Sequence, residues 1–225
     1  MCHEKSVCDG KHADFDTLVK ILNSCESGTE LALGGGNPLE YPRLRDFLDK
    51  AYENEVICNM TINGLHLLQY DYLMEVNRYQ EDEKIMGLGV SLPQVKYMEV
   101  IESAKNFRHV VFHIIAGMAT PEQIEALCKA NATVLILGYK QKGRGVGYMA
   151  ENQESIEKNI QYLKDNLLRI AKQLNTISFD NLAIKQLDIQ SFCKANNIEF
   201  NKVYMGDDGD YTMYIDAVSE EFAES

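Results

Sequence analysis

Glu30-Leu31-Ala32-Leu33-Gly34-Gly35-Gly36-Asn37-Pro38 reads as a short apolar strand that ends in three consecutive glycines. Because glycine has no side chain, the N–H and C=O groups after such a strand stay accessible to a polar ligand. We therefore predict a cofactor-binding segment at Gly34, Gly35, Gly36 and Asn37.

The chain around this segment alternates apolar strand-like runs with amphipathic helix-like ones. Strands are predicted at 30–33, 56–62, 86–91, 110–116, 133–137 and 176–179, and a long helix is predicted at 152–174. Strands that are apolar throughout, each followed by a helix, are typical of a parallel sheet covered by helices. The sequence thus predicts an α/β fold with a partial or six-stranded parallel β/α barrel, and a doubly wound open sheet is the alternative.

The whole chain, residues 1–225, is expected to form a single domain with 176–225 as its C-terminal extension. Strands around 201–205 and 211–218 flank a Gly-Asp-Asp-Gly-Asp turn, which predicts a hairpin. The segment 140–147 is predicted to be a mobile loop, in which Lys140, Lys142 and Arg144 would meet an anionic substrate group.

Composition narrows the classes of partner. The chain of 225 residues has a formal net charge of −12 and no compensating basic run, which argues against a nucleic-acid partner. It contains no apolar stretch of the ~20 residues that a membrane span needs, and its N-terminus lacks the apolar core of a signal peptide. The six cysteines are thinly spread, which favours reduced thiols over a disulfide framework. We expect a cytoplasmic protein that binds neither nucleic acid nor membrane.

Small or polar residues also follow the later predicted strands: Asn63, Ser91, Ala116 and Gly117. Ligands of parallel α/β folds bind where strands end, so these positions are candidate binding residues. The alternative is that such residues simply terminate strands. His113 lies inside an apolar strand and is predicted to be a hydrogen-bonded core histidine.

Three segments resemble radical S-adenosylmethionine (radical SAM) enzymes. Gly34-Gly35-Gly36-Asn37-Pro38 resembles the family's Gly-Gly-Glu-Pro segment, with Asn37 in place of the usual glutamate. His113-Ile114-Ile115-Ala116-Gly117 is similar to the segment that packs beside the adenine ring. Cys2-His3-Glu4-Lys5-Ser6 looks like the tail of the family's Cys-x3-Cys-x2-Cys loop, whose first two cysteines and preceding strand have no counterpart here. The chain is therefore expected to be N-terminally truncated and, by itself, inactive.

The resemblance implies two cofactors, a [4Fe–4S] cluster with Cys2 as one ligand and S-adenosyl-L-methionine. In the family, reductive cleavage of that sulfonium gives a 5′-deoxyadenosyl radical, which abstracts a hydrogen atom from substrate. It further implies that Gly34, Gly35, Gly36 and Asn37 receive the methionine amine and that Ala116 and Gly117 pack against adenine. Asn63 and Ser91 would hold the carboxylate or the ribose. An external electron donor and an unidentified small-molecule or peptide substrate are the expected partners.

Two other functions stay open from the residues alone. One is a non-radical β/α-barrel lyase or isomerase that binds a phosphorylated or carboxylated substrate at the strand ends. The other is a catalytically inactive barrel that acts as a binding protein.

Overall fold

A computed structural model describes residues 10–207, 210 and 212–223 of the chain. The main strands are β1 (Glu30–Leu33), β2 (Ile57–Asn63), β3 (Leu88–Ser91), β4 (Val110–Ile115), β5 (Thr133–Leu137) and β6 (Thr176–Phe179). The helices are α1 (Phe15–Ser24), α2 (Leu44–Glu53), α3 (Tyr70–Glu81), α4 (Tyr97–Ala104), α5 (Pro121–Lys129), α6 (Arg144–Gln173), α7 (Asn181–Leu187), α8 (Ile189–Ala195) and α9 (Phe200–Val203). Short 3₁₀ helices occupy Pro38–Glu40 and Gly64–Leu68.

The six main strands form one sheet whose order, β1-β2-β3-β4-β5-β6, follows the chain. The pairings of β1 with β2, β2 with β3, β3 with β4 and β5 with β6 are all parallel. This confirms the predicted α/β class and its six-stranded parallel sheet. Residues 176–179 supply the sixth strand of this sheet.

The described residues fall into two compact units. The first unit comprises residues 10–113 and 216–221, and the second comprises 114–215 and 222–223. Among the described residues, no helix is both long and apolar enough to cross a bilayer.

In the first unit, one face of the sheet is the core. Met60 and Ile62 of β2, Leu88 and Val90 of β3 and Phe112 of β4 are all buried. Each such side chain contributes ~1.5–3 kcal/mol when it is fully removed from water. The alternate residues of the same strands are only half-buried or exposed, so the two faces of the sheet differ in composition and in burial.

In the second unit, β5 and α6 supply much of the core. Val134 and Ile136 of β5 and Leu163, Leu167 and Ile170 of α6 are at most 2% exposed. Helix α5 has Thr120 as its N-cap and Pro121 in its first position, two residues that are typical of a helix start.

The predicted strand at 201–205 is wrong, because residues 200–203 form the short helix α9. The C-terminal two-stranded sheet instead pairs β7 (Tyr214–Asp216) with β8 (Glu221–Ala223). Of the predicted 206–210 turn, residues 208 and 209 lie outside the described residues. Four residues, 217–220, separate the two strands that do pair, so the turn at 206–210 does not connect them.

The predicted loop at 140–147 is helical in its second half. Helix α6 begins at Arg144 and runs for 30 residues, which is longer than the predicted helix at 152–174. Asn152, where the predicted helix begins, has non-helical backbone angles (φ −130°, ψ 19°) inside α6. Its Nδ2 donates a hydrogen bond to the carbonyl of Tyr148 at 3.0 Å. A side-chain amide that competes for backbone acceptors is a known cause of such a local break.

Candidate functional site

Gly34, Gly35 and Gly36 form an exposed loop directly after β1. No atom lies within 4 Å of the position that a Cβ would take at any of the three. Gly35 has φ +114°, a backbone angle that residues with a side chain rarely adopt. Gly34 and Gly36 have no positive φ. The main chain of these three residues is therefore exposed, and their role in binding stays a prediction.

Asn37 is engaged within the chain. Its Oδ1 accepts a hydrogen bond from the N–H of Leu39 at 3.2 Å, which caps the 3₁₀ helix Pro38–Glu40. Its Nδ2 donates to Glu40 Oε1 at 3.0 Å. The neutral amide at position 37 thus holds a carboxylate from position 40 beside the glycine loop.

Two further side chains belong to this group, which we call the Glu40 cluster: Asn37, Glu40, His66 and Tyr72. The Tyr72 hydroxyl donates to Glu40 Oε1 at 3.4 Å, and the rings of Tyr72 and His66 lie 5.0 Å apart. Among the described residues, the buried Nδ1 of His66 finds no hydrogen-bond partner. Burial lowers the pKa of His66, and the negative charge of Glu40 opposes that shift.

Sequence reasoning missed the Glu40 cluster. The available signal was Asn37-x-x-Glu40, since an asparagine followed three residues later by glutamate is typical of a helix start. His66 and Tyr72 lie far along the chain, so nothing in the sequence placed them near Glu40.

Asn63 and Ser91 are brought together by the sheet. They are the last residues of β2 and β3, they are paired in register, and both are exposed. Asn63 Oδ1 also accepts from the N–H of Leu65 at 3.0 Å, which caps the 3₁₀ helix Gly64–Leu68. The strand-terminating interpretation therefore accounts for Asn63 in part, while its amide nitrogen stays on the exposed edge.

His113 is paired in register with Ser91, one strand further along. It is half-buried on the polar face of the sheet, and burial lowers the pKa of its imidazole. Within the described residues, no side chain or main-chain group makes a hydrogen bond with this ring. The predicted hydrogen-bonded core histidine is therefore wrong, because His113 faces away from the apolar core.

Ala116 and Gly117 lie in the second unit, and both are buried. The N–H of Ala116 donates to the carbonyl of Leu137 at 2.9 Å, as in a strand pairing. A Cβ at Gly117 would come within 2.5 Å of Ile156 Cγ2, so the glycine allows α6 to pack closely here. Asn159 Nδ2 donates to the carbonyl of Gly117 at 3.1 Å. Packing within the chain thus explains these small residues.

A cavity of about 190 Å³ lies beside this segment in the second unit. Its lining is mostly apolar and includes Ile115, Met118, Leu137 and Tyr139, together with the polar Asp180 and Lys140. Asp180 Oδ1 accepts hydrogen bonds from the N–H groups of Gly138 at 2.9 Å and Ala183 at 2.7 Å. The Asp180 carboxylate is therefore held in place by the end of β5 and the start of α7.

The side chains that could bind a metal ion are spread through the described residues. Across residues 10–207, 210 and 212–223, no three His, Cys, Asp or Glu side chains are grouped so that they could hold a metal ion. Burial raises the pKa of four free thiols in this part of the chain, those of Cys25, Cys58, Cys128 and Cys193. A raised pKa disfavours the thiolate that a metal needs. The predicted ligand Cys2 lies outside the described residues.

No protein-family model matches the chain, and none of the curated proteins matches it in sequence.

Proposed function

We propose that this chain is a radical SAM-type enzyme with a β/α-barrel architecture, and that its glycine loop receives the amino group of S-adenosyl-L-methionine. The observation that carries the proposal is the open main chain at Gly34–Gly36, directly after the first strand of a sheet whose strands follow chain order. Ligands of parallel α/β folds bind at this edge of the sheet.

The charge beside the loop supports the binding of an ammonium group. Asn37 itself is neutral, but it holds the Glu40 carboxylate at 3.0 Å, and Tyr72 donates to the same oxygen. An ammonium ion has three donors and no acceptor, so it suits glycine carbonyls together with a carboxylate. Glu40 thereby supplies the negative charge that position 37 lacks.

The lining of the cavity in the second unit suits a flat, mostly apolar ring. Its walls are apolar and Asp180 is fixed at its edge, which is the usual composition of a small-molecule site. The packing of Ala116 and Gly117 against adenine stays a prediction.

The described residues do not fit an iron–sulfur cluster, since no three ligands are grouped among them. We assign Cys2, which lies outside the described residues, as a cluster ligand. When bound, the cofactors supply hydrogen-abstraction chemistry. The described residues would bind the methionine end through main-chain groups and Glu40, and Asn63 and Ser91 would offer polar groups at the neighbouring strand ends.

Calorimetric titration with S-adenosyl-L-methionine tests the glycine assignment. A Cβ at Gly36 meets no atom within 4 Å and the residue has no positive φ, so we expect Gly36→Val to keep the fold and to fill the space that a ligand needs. Gly147→Val is the matched control, because Gly147 is equally open. We expect the control to bind like the unmodified chain and Gly36→Val to bind at least ~10-fold more weakly, a loss of ~1.4 kcal/mol. Equal binding by the two variants, or no binding at all, contradicts the proposal.

Iron content tests the assignment of Cys2 separately. After anaerobic reconstitution with iron and sulfide of a chain extended by the family's Cys-x3-Cys-x2 segment, Cys2→Ala is expected to retain less iron than Cys25→Ala, its matched control. Cys25 is half-buried, and within residues 10–207, 210 and 212–223 it belongs to no group that could hold a metal. Equal iron in the two variants would remove Cys2 from the site and leave the glycine assignment standing.

A further inference from the structure

The polar face of the sheet in the first unit is unusual for a parallel sheet. Strands with neighbours on both sides are normally apolar on both faces. Here Thr61 of β2 pairs in register with Gly89 of β3, and Ser91 pairs with His113 of β4. Because paired residues and every second residue share a face, these four residues lie on one side of the sheet. The opposite side holds the buried apolar residues of the core.

Gly89 makes room for the two side chains beside it. A Cβ at this position would lie 2.6 Å from Thr61 Oγ1, 2.8 Å from His113 Cε1 and 3.0 Å from His113 Nε2. The hydroxyl and the imidazole edge therefore pack against Gly89 from both sides, in the space that a side chain would take. An alanine would displace them.

Asn59 of β2 lies on the same face, and its side chain already has hydrogen-bond partners within the chain. Asn59 Oδ1 accepts from the N–H of Gly87 at 2.8 Å, and its Nδ2 donates to Glu30 Oε2 at 3.3 Å. Asn59 therefore uses its amide within the chain. Among the described residues, by contrast, the side chains of Thr61 and His113 form no hydrogen bond.

Thr61 and His113 both present uncharged polar groups. A hydroxyl both donates and accepts, and a neutral imidazole has one donor and one acceptor. In β2, β3 and β4 the residues on this face include no Lys, Arg, Asp or Glu. The lowered pKa of His113 also keeps the ring neutral at physiological pH.

We propose that Thr61 and His113, above Gly89, form a binding site for an uncharged group that both donates and accepts hydrogen bonds, such as the carboxamide or hydroxyl of a small polar molecule. On this face, the described residues of β2, β3 and β4 offer a carboxylate no cation and an ammonium ion no anion. The site is independent of the proposed cofactor chemistry, because it rests only on the sheet register and the space at Gly89.

Nuclear magnetic resonance of the chain labelled with ¹³C at histidine Cε1 tests this site. The chain has five histidines, and His113→Gln identifies the His113 signal by its loss. Acetamide, acetate and ethylammonium are titrated at equal concentrations and at neutral pH. Acetamide is expected to shift the His113 signal saturably, while the two ions leave it unchanged. No shift with acetamide, or equal shifts with all three probes, overturns the proposal.

Two variants show whether the geometry is responsible. Gly89→Ala is expected to raise the dissociation constant for acetamide at least ~10-fold. Thr61→Val removes only the hydroxyl and is expected to act in the same direction, which keeps the test decisive if Gly89→Ala does not fold. Gly147→Ala, at an open glycine of α6, is the control and should bind acetamide normally. Unchanged acetamide binding by a folded Gly89→Ala or by Thr61→Val contradicts the site.

Discussion

The Gln186 side chain and the Tyr139 main chain exchange two hydrogen bonds. The N–H of Tyr139 donates to Gln186 Oε1 and Gln186 Nε2 donates to the carbonyl of Tyr139, both at 2.8 Å. Tyr139 is only 4% exposed, so water does not easily replace this partner. One side chain of α7 thereby satisfies both backbone groups at the residue that lines the cavity.

Removal of this amide is expected to destabilise the chain. Gln186→Ala leaves a buried backbone donor and acceptor without partners, and the expected loss in the free energy of unfolding is about 2 kcal/mol. Urea denaturation measures it. The neighbouring exposed residue gives the control, since Lys185→Ala should change stability by no more than ~0.5 kcal/mol. Equal losses in the two variants would mean that the paired hydrogen bonds contribute nothing specific.

Two glycine-to-alanine changes are expected to have opposite signs. A Cβ at Gly138 would lie 2.6 Å from Leu182 Cβ and 2.7 Å from the backbone nitrogen of Ala183, so Gly138→Ala should cost about 1–3 kcal/mol by overpacking. Gly147 lies in helix α6 with open space around it, so Gly147→Ala should stabilise by up to ~1 kcal/mol. Thermal unfolding of both variants is the measurement, and a stabilised Gly138→Ala would contradict the packing at the start of α7.

The pH dependence of stability should carry a contribution from His113. Burial lowers its pKa in the folded chain, so below pH ~6.5 the unfolded chain takes up the proton more readily. The folded state therefore loses stability as the pH falls from about 6.5 towards the lower folded pKa, and it shows no such loss above that window. His113→Gln should lose less stability than the unmodified chain between pH 7 and pH 5. Parallel curves for the two proteins would show that His113 titrates normally.

The buried Cys58 thiol is expected to resist alkylation. Burial raises its pKa to about 12, and the thiol is 3% exposed. The reactive form is the thiolate, so at pH 8 iodoacetamide should modify Cys58 only after unfolding. Peptide mass spectrometry with and without guanidinium chloride follows this position directly. Rapid modification of Cys58 in the native chain would show that β2 opens easily.

The fold could be predicted where the signal is local. The alternation of apolar strands and amphipathic helices gave the parallel sheet, because both patterns arise within one element. The start of α5 was equally readable, since Thr120 and Gln123 form a capping box within four residues. Helix α9 was not, because its four residues are too few for a helical period to show.

The candidate site could be predicted only in part. The openness of Gly34–Gly36 follows from the residues themselves. The position of Glu40 beside Asn37 depends on a local turn, and the approach of Tyr72 depends on packing between distant segments. The role of Gly89 is visible only once its register with Thr61 is known, because a glycine in a strand does not reveal its neighbours.

The break at Asn152 has a consequence for the exchange of amide hydrogens along α6. A helix opens as a cooperative unit only while its ladder of hydrogen bonds is continuous, so the segments before and after Asn152 can open independently. The part after the break contains Leu163, Leu167 and Ile170, which are at most 2% exposed, whereas Val146 before it is 57% exposed. Deuterium should therefore enter residues 144–151 much faster than residues 160–170, although both segments belong to α6.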